Sequence, residues 1–139
     1  MAGYGRGSHR NFDSVAGERI AQDESRERYG MARQNIAMLL EYDGTRYDGW
    51  QRQRNTDCTI QGKLESVLER MTGTYQEVHG SGRTDAGVHA SGQVANVHLD
   101  TVMKQGDICD YLNRYLPEDI RILKTAQVSE RFHSRLWAT

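Results

Sequence analysis

Polar and apolar positions show no regular spacing up to Gly30 and fall into clear periods from Gln34 onward. Asn35 to Tyr42, NIAMLLEY, is a short apolar run of strand length, closed by the turn-rich DGTRYDG. Thr59 is a helix N-cap candidate ahead of Ile60, Leu64, Val67, Leu68 and Met71, which recur at helical spacing, and Gly73 stops the run. Thr74 to Gly80 reads as a second strand. QVANVHL alternates, with Ala95, Val97 and Leu99 on one face and Val94, Asn96 and His98 on the other. A helix around Lys104 to Leu116 turns Ile108, Leu112, Tyr115 and Leu116 inward and ends at Pro117, after which DIRILKTAQV forms a fourth strand. The order β-α-β-β-α-β predicts an α+β, ferredoxin-like unit: an antiparallel sheet with both helices on one face.

Met1 to Gly30 is rich in Gly, Ser, Arg, Asp and Glu and poor in clustered aliphatics. Such a segment buries too little apolar surface to offset its ordering entropy, so residues 1–30 are expected to be a disordered leader. Because Met31 opens the first strand-like run, a start placed upstream of the true one is the favoured explanation. The remaining 31–139 suit one modest domain. With 18 basic and 19 acidic residues the net charge is -1, which excludes a global field for nucleic acid but leaves a local basic face open. Cys58 and Cys109 form no C-x-x-C pair, and no signal-like or membrane-length apolar segment occurs. A cytoplasmic protein with reduced thiols and no membrane partner is the expectation.

The chemistry concentrates in Gly80 to Leu99, GSGRTDAGVHASGQVANVHL, where Arg83 and Asp85 stand in a glycine-rich turn that runs into a strand. GRTDAGVH has the glycine spacing of a P-loop, but Val88 and His89 occupy the positions of its Lys and Ser/Thr. An aspartic-protease dyad needs a second carboxylate and a hydroxyl where Ala86 stands. His79, His89, His98, Cys58 and Cys109 lack metal-ligand spacing, so no metal is expected. Two readings stay open. Arg83 and Asp85 brace a hairpin as an ion pair, or Asp85 is a nucleophile or base presented on a turn whose small residues let a ligand approach.

GRTDAGVHASGQV (Gly82 to Val94), preceded by EYDGTRYDGWQRQ (Glu41 to Gln53) and followed by NRYLPEDI (Asn113 to Ile120) and FHSRLWAT (Phe132 to Thr139), resembles the tRNA pseudouridine synthase A family. The resemblance spans Met31 to Thr139. It implies that Asp85 is the catalytic aspartate of an isomerase that turns uridine into pseudouridine at positions 38 to 40 of the tRNA anticodon stem-loop. The N1–C1′ bond breaks, the uracil turns, and C5 joins C1′; attack on C1′, attack on C6 and base-assisted glycal formation are the alternative first steps. No metal or organic cofactor is implied, and a full-length protein is expected to be a homodimer.

A carboxylate suits covalent work at a glycosidic carbon. Arg83 would hold Asp85 ionised or contact a phosphate beside the flipped base, and His89 would either bond the substrate or order the loop. Trp50, Gln51 and Arg52 are the RNA-contact candidates of YDGWQRQRN, with Tyr47 and Arg54 nearby; for Trp50 the competing reading is a core cap. The family continues past FHSRLWAT with a tyrosine-bearing basic strand and a second ferredoxin-like half. The chain is therefore expected to be the N-terminal half of a catalytic domain, truncated and weakly active or inactive alone. A catalytically silent RNA-binding module is the alternative.

Overall fold

The computed structural model describes Phe12 and residues 33–135. The expected disordered leader lies outside the described residues except at Phe12. Strands β1 (Arg33–Tyr42), β2 (His79–Gly80), β3 (Ala90–Asp100) and β4 (Ile120–Val128) form one sheet in the order β2-β3-β1-β4. All neighbours are antiparallel. Helices α1 (Ile60–Thr72) and α2 (Gln105–Tyr115) complete the β-α-β-β-α-β order of a ferredoxin-like unit.

Local signals account for both ends of α1. Thr59 caps α1 by accepting the Gly62 N–H on Oγ1 (3.1 Å), and Gly73 ends it in the left-handed region, its N–H donating to the Glu69 carbonyl (2.7 Å). Ile36, Met38 and Leu40 of β1 and Ala95, Val97 and Leu99 of β3 form the main core with Ile60, Leu64, Leu68, Ile108 and Leu112. Tyr115 departs from its expected inward position. It is 42% exposed, against the Tyr111 ring and under the guanidinium groups of Arg70 and Arg114, while Leu116 takes the buried place.

The second strand is far shorter than the Thr74 to Gly80 expected. Only His79 and Gly80 pair with β3, opposite Asn96 and Ala95. Helix α1 takes the backbone groups before them: the Val78 N–H donates to Glu65 Oε2 (2.9 Å), and Gln61 Nε2 donates to the Val78 carbonyl (2.9 Å). With both groups of Val78 satisfied by side chains, the ladder has nothing to extend into.

The opposite face of the sheet carries a smaller cluster of Ala37, Val94, Ala126, Val128 and Phe12, flanked by Leu39 and Phe132. Beside it runs a buried polar chain. Asn96 Nδ2 donates to Asn35 Oδ1 (3.0 Å), and Asn35 Nδ2 donates to the carbonyls of Ser129 (2.8 Å) and Phe132 (2.9 Å). The Ser134 N–H donates to Asn96 Oδ1 (2.8 Å), and its hydroxyl to the His79 carbonyl (2.6 Å). These bonds carry the segment after β4 across this face, from one edge strand to the other.

Candidate active site

The stretch from Ser81 to His89 is a loop between β2 and β3, and its shape depends on the loop after β1. The Trp50 N–H donates to the Thr84 carbonyl (3.0 Å), and the Gly87 N–H to the Tyr47 carbonyl (3.1 Å). The hydroxyls of Tyr42 and Thr84 share a hydrogen bond of 2.7 Å, and the Gly44 N–H donates to His89 Nδ1 (2.9 Å). Two quoted sequence motifs thus fold into one object. Its tip is a tight turn in which the Val88 N–H donates to the Asp85 carbonyl (3.1 Å) and Gly87 has φ +77°.

Close approach explains two glycines of DGTRYDG. A Cβ on Gly44 would lie 2.0 Å from the Val88 carbonyl oxygen. On Gly49, where φ is +98°, it would lie 2.8 Å from the Thr84 carbonyl oxygen. Smallness at these positions seats the Asp85 loop's own backbone.

Asp85 is exposed on that turn, and its carboxylate has no hydrogen bond or ion pair among the described residues. The Arg83–Asp85 brace is therefore not formed. Backbone bonds hold the turn, leaving both side chains available to a ligand. Arg83, exposed two residues earlier, lines a groove of about 390 Å³ with Gln51, Glu77, His79, His133 and Arg135. His89 lines a second groove, of about 440 Å³, with Glu41, Asp43, Glu118, Asp119 and Arg121. The loop carrying Asp85 runs between a groove rich in bases and one rich in acids.

The other candidates divide by place. Gln51 is exposed at the basic groove. Trp50 is 3% exposed, its ring over Gly80 and 6.3 Å from the Tyr42 ring, so most of its surface serves the core. Arg52 pairs with Glu65 and bonds the Tyr75 hydroxyl, neutralising a carboxylate that is otherwise buried. His89 orders the loop: by accepting the Gly44 N–H on Nδ1 it carries its proton on Nε2. Asp43 Oδ1 lies 3.2 Å from the same nitrogen.

Beneath the acidic groove, Asp119 accepts from the Tyr47 hydroxyl (2.5 Å) and from Arg46 Nη2 (2.7 Å) and Nε (2.9 Å). Burial pushes the Asp119 carboxyl up, but the bonds from Tyr47 and Arg46 outweigh it and hold the group below its ordinary range. Burial and the adjacent Asp119 push the Tyr47 hydroxyl up, so it stays a donor.

Sequence reasoning had assigned no role to His79, His133 or Arg135. The rings of His79 and His133 lie 4.7 Å apart, tilted by 44°. Burial, then the neighbouring charges of His79 and Arg135, push His133 below the usual imidazole range. FHSRLWAT was visible as a motif, but its meeting with β2 depends on the Asn35–Asn96–Ser134 chain.

A family model described as tRNA pseudouridine synthase matches residues 38–135. The chain is 54% identical over 101 residues to tRNA pseudouridine synthase A of Bacillus sp. strain KSM-64 and 50% identical over 101 residues to tRNA pseudouridine synthase A 2 of Bacillus anthracis. Each of these matches covers 73% of this chain and 41% of the relative. A Clostridium kluyveri tRNA pseudouridine synthase A is 49% identical over 105 residues, covering 76% of this chain and 43% of that protein. The chain thus spans well under half the length of these relatives. The matched region holds the Asp85 loop and the loop that seats it, and the chain belongs to the tRNA pseudouridine synthase family.

Proposed function

We propose that this chain carries the nucleophile of a tRNA pseudouridine synthase, acting on uridines at positions 38 to 40 of the anticodon stem-loop, and that Asp85 is that nucleophile. The observation that carries the reading is an exposed carboxylate, without intramolecular partners among the described residues, on a turn that four backbone and side-chain bonds hold in place. Such a group is free to attack and is positioned before the substrate arrives.

The reaction conserves atoms: the N1–C1′ bond breaks, C5 bonds to C1′, the C5 proton leaves to solvent, and the freed N1 takes up a proton in its place. An extruded uridine reaches the crest of the loop, and Arg83 and Gln51 contact the strand beside it. Trp50, Arg52 and His89 act by holding the surroundings of the loop. A tRNA substrate sets the reaction in the cytoplasm, and a homodimer is the assembly this reading expects.

A chimera tests it, with residues 38–135 of this chain replacing the matching stretch of the Bacillus sp. relative. We expect the chimera to release tritium from tRNA containing 5-tritiated uridine, and Asp85→Asn to slow that release by at least about a thousandfold. An Asp85→Asn chimera within tenfold of its parent overturns the role of Asp85. A folded chimera that binds the stem-loop without releasing tritium favours the silent RNA-binding module instead.

A further inference from the structure

The basic groove is built by residues distant in sequence. Ser134 bonds the His79 carbonyl and Asn96, which ties the residues after β4 to the opposite edge of the sheet and sets His133 beside His79. Arg83 enters from the Asp85 loop and Arg135 from the C-terminal segment. Neither guanidinium has an ion pair or side-chain hydrogen bond among the described residues. Glu77 is the carboxylate lining this groove.

Two guanidiniums and two imidazoles converge here with one carboxylate beside them. Protonating both imidazoles at 4.7 Å is costly unless an anion sits between or above them. A phosphodiester supplies that charge, and arginine forks and protonated imidazoles are its strong donors. The segment carrying His133 and Arg135 is already tied down, so little ordering cost remains for binding.

We infer that Arg83, His79, His133 and Arg135 form a phosphodiester-binding site for the RNA strand next to the extruded uridine. The inference rests on the proposed action on RNA and adds a defined subsite to it. The charges facing His133 are His79 and Glu77 on the β2 side, His98 on β3, and Arg135 on its own segment. Raising the net positive charge of this set by lowering the pH strengthens anion binding, and a bound anion in turn holds protons on the imidazoles.

The test follows the histidine ring signals by NMR in the full 139-residue chain. Inorganic phosphate and a short RNA stem-loop are titrated separately at pH 6 and pH 8. We expect both to move the His79 and His133 signals saturably at pH 6, and to raise the pH at which the His133 ring titrates. Arg135→Gln weakens both ligands by roughly tenfold, the scale of one charge-assisted hydrogen bond. His79→Phe, which keeps the ring contact and removes the ring's N–H donor, weakens both ligands as well. If RNA binds while both rings stay unmoved, the subsite is wrong and the proposed function stands. If phosphate moves the rings and RNA does not, the groove takes a free anion and the phosphodiester assignment falls. If neither ligand moves any histidine signal, the subsite is wrong, and the proposed function is decided by the chimera.

Discussion

The two grooves flanking the Asp85 loop are of similar size and opposite charge. One gathers Arg83, Arg135, His79 and His133; the other gathers Glu41, Asp43, Glu118 and Asp119 around Arg121. They also differ in how their charges are spent. Asp119 is saturated by Tyr47 and Arg46, and Asp43 by Thr45, so the acidic side holds the loop after β1 in shape. Arg83 and Arg135 are left uncommitted within the described residues. A chain of net charge -1 can therefore present a local face for RNA, because a field depends on where charges sit and which are already paired.

The largest effect comes from disturbing the seat between the grooves. In the active chimera, Gly44→Ala drives a Cβ into the Val88 carbonyl and displaces the Asp85 turn. We expect tritium release to fall by about a hundredfold, the penalty of an ångström-scale misplacement. Stability should fall by about 1–3 kcal/mol, the cost of forcing atoms into a packed contact, as read by thermal melting. A variant with unchanged rate would show that the seat does not position Asp85.

Charge reversal on either side comes next. Arg135→Glu should weaken stem-loop binding about tenfold and lower the salt slope by about 0.7, as expected for one lost phosphate contact. Glu118→Lys, on the acidic side, should change affinity by less than about threefold. Anisotropy titrations across a salt series measure both. Equal and opposite effects would mean that only total charge matters and would erase the distinction between the grooves.

The smallest effect concerns the acidic side alone. The folded-state pKa of Asp119 is lowered, so its contribution to stability is present above the ordinary carboxyl range and is lost as pH falls through the lowered value. Asp119→Asn should be less stable than the parent at neutral pH, with the two converging as pH falls below the ordinary carboxyl range. Parallel acid-unfolding curves would remove Asp119 from the support of the loop.

Legibility in the sequence followed the range of the interactions. Helix α1 was readable down to its caps, because Thr59 and Gly73 act within one turn of its ends. The faces of β3 were readable because alternation is local. The shortness of β2 was not, since it depends on Glu65 and Gln61 reaching Val78 from another element. Nor was the meeting of the two motifs: DGTRYDG and RTDAGVH gave no local sign that one cradles the other. The basic groove needed a contact between Ser134 and His79, 55 positions apart, through Asn35 and Asn96, which the sequence places on strands without showing their partners.

Asp85 as nucleophile is tested most directly by weighing it. An anticodon stem-loop with 5-fluorouridine at the target cannot lose its C5 substituent as a proton, so a covalent species formed with the active chimera should persist. Trypsin releases Asp85 in the peptide Thr84 to Lys104. We predict that this peptide gains the mass of the modified nucleotide, and that Asp85→Asn abolishes the gain. Turnover of the same stem-loop with the peptide unmodified, or with the added mass on another peptide, would contradict it.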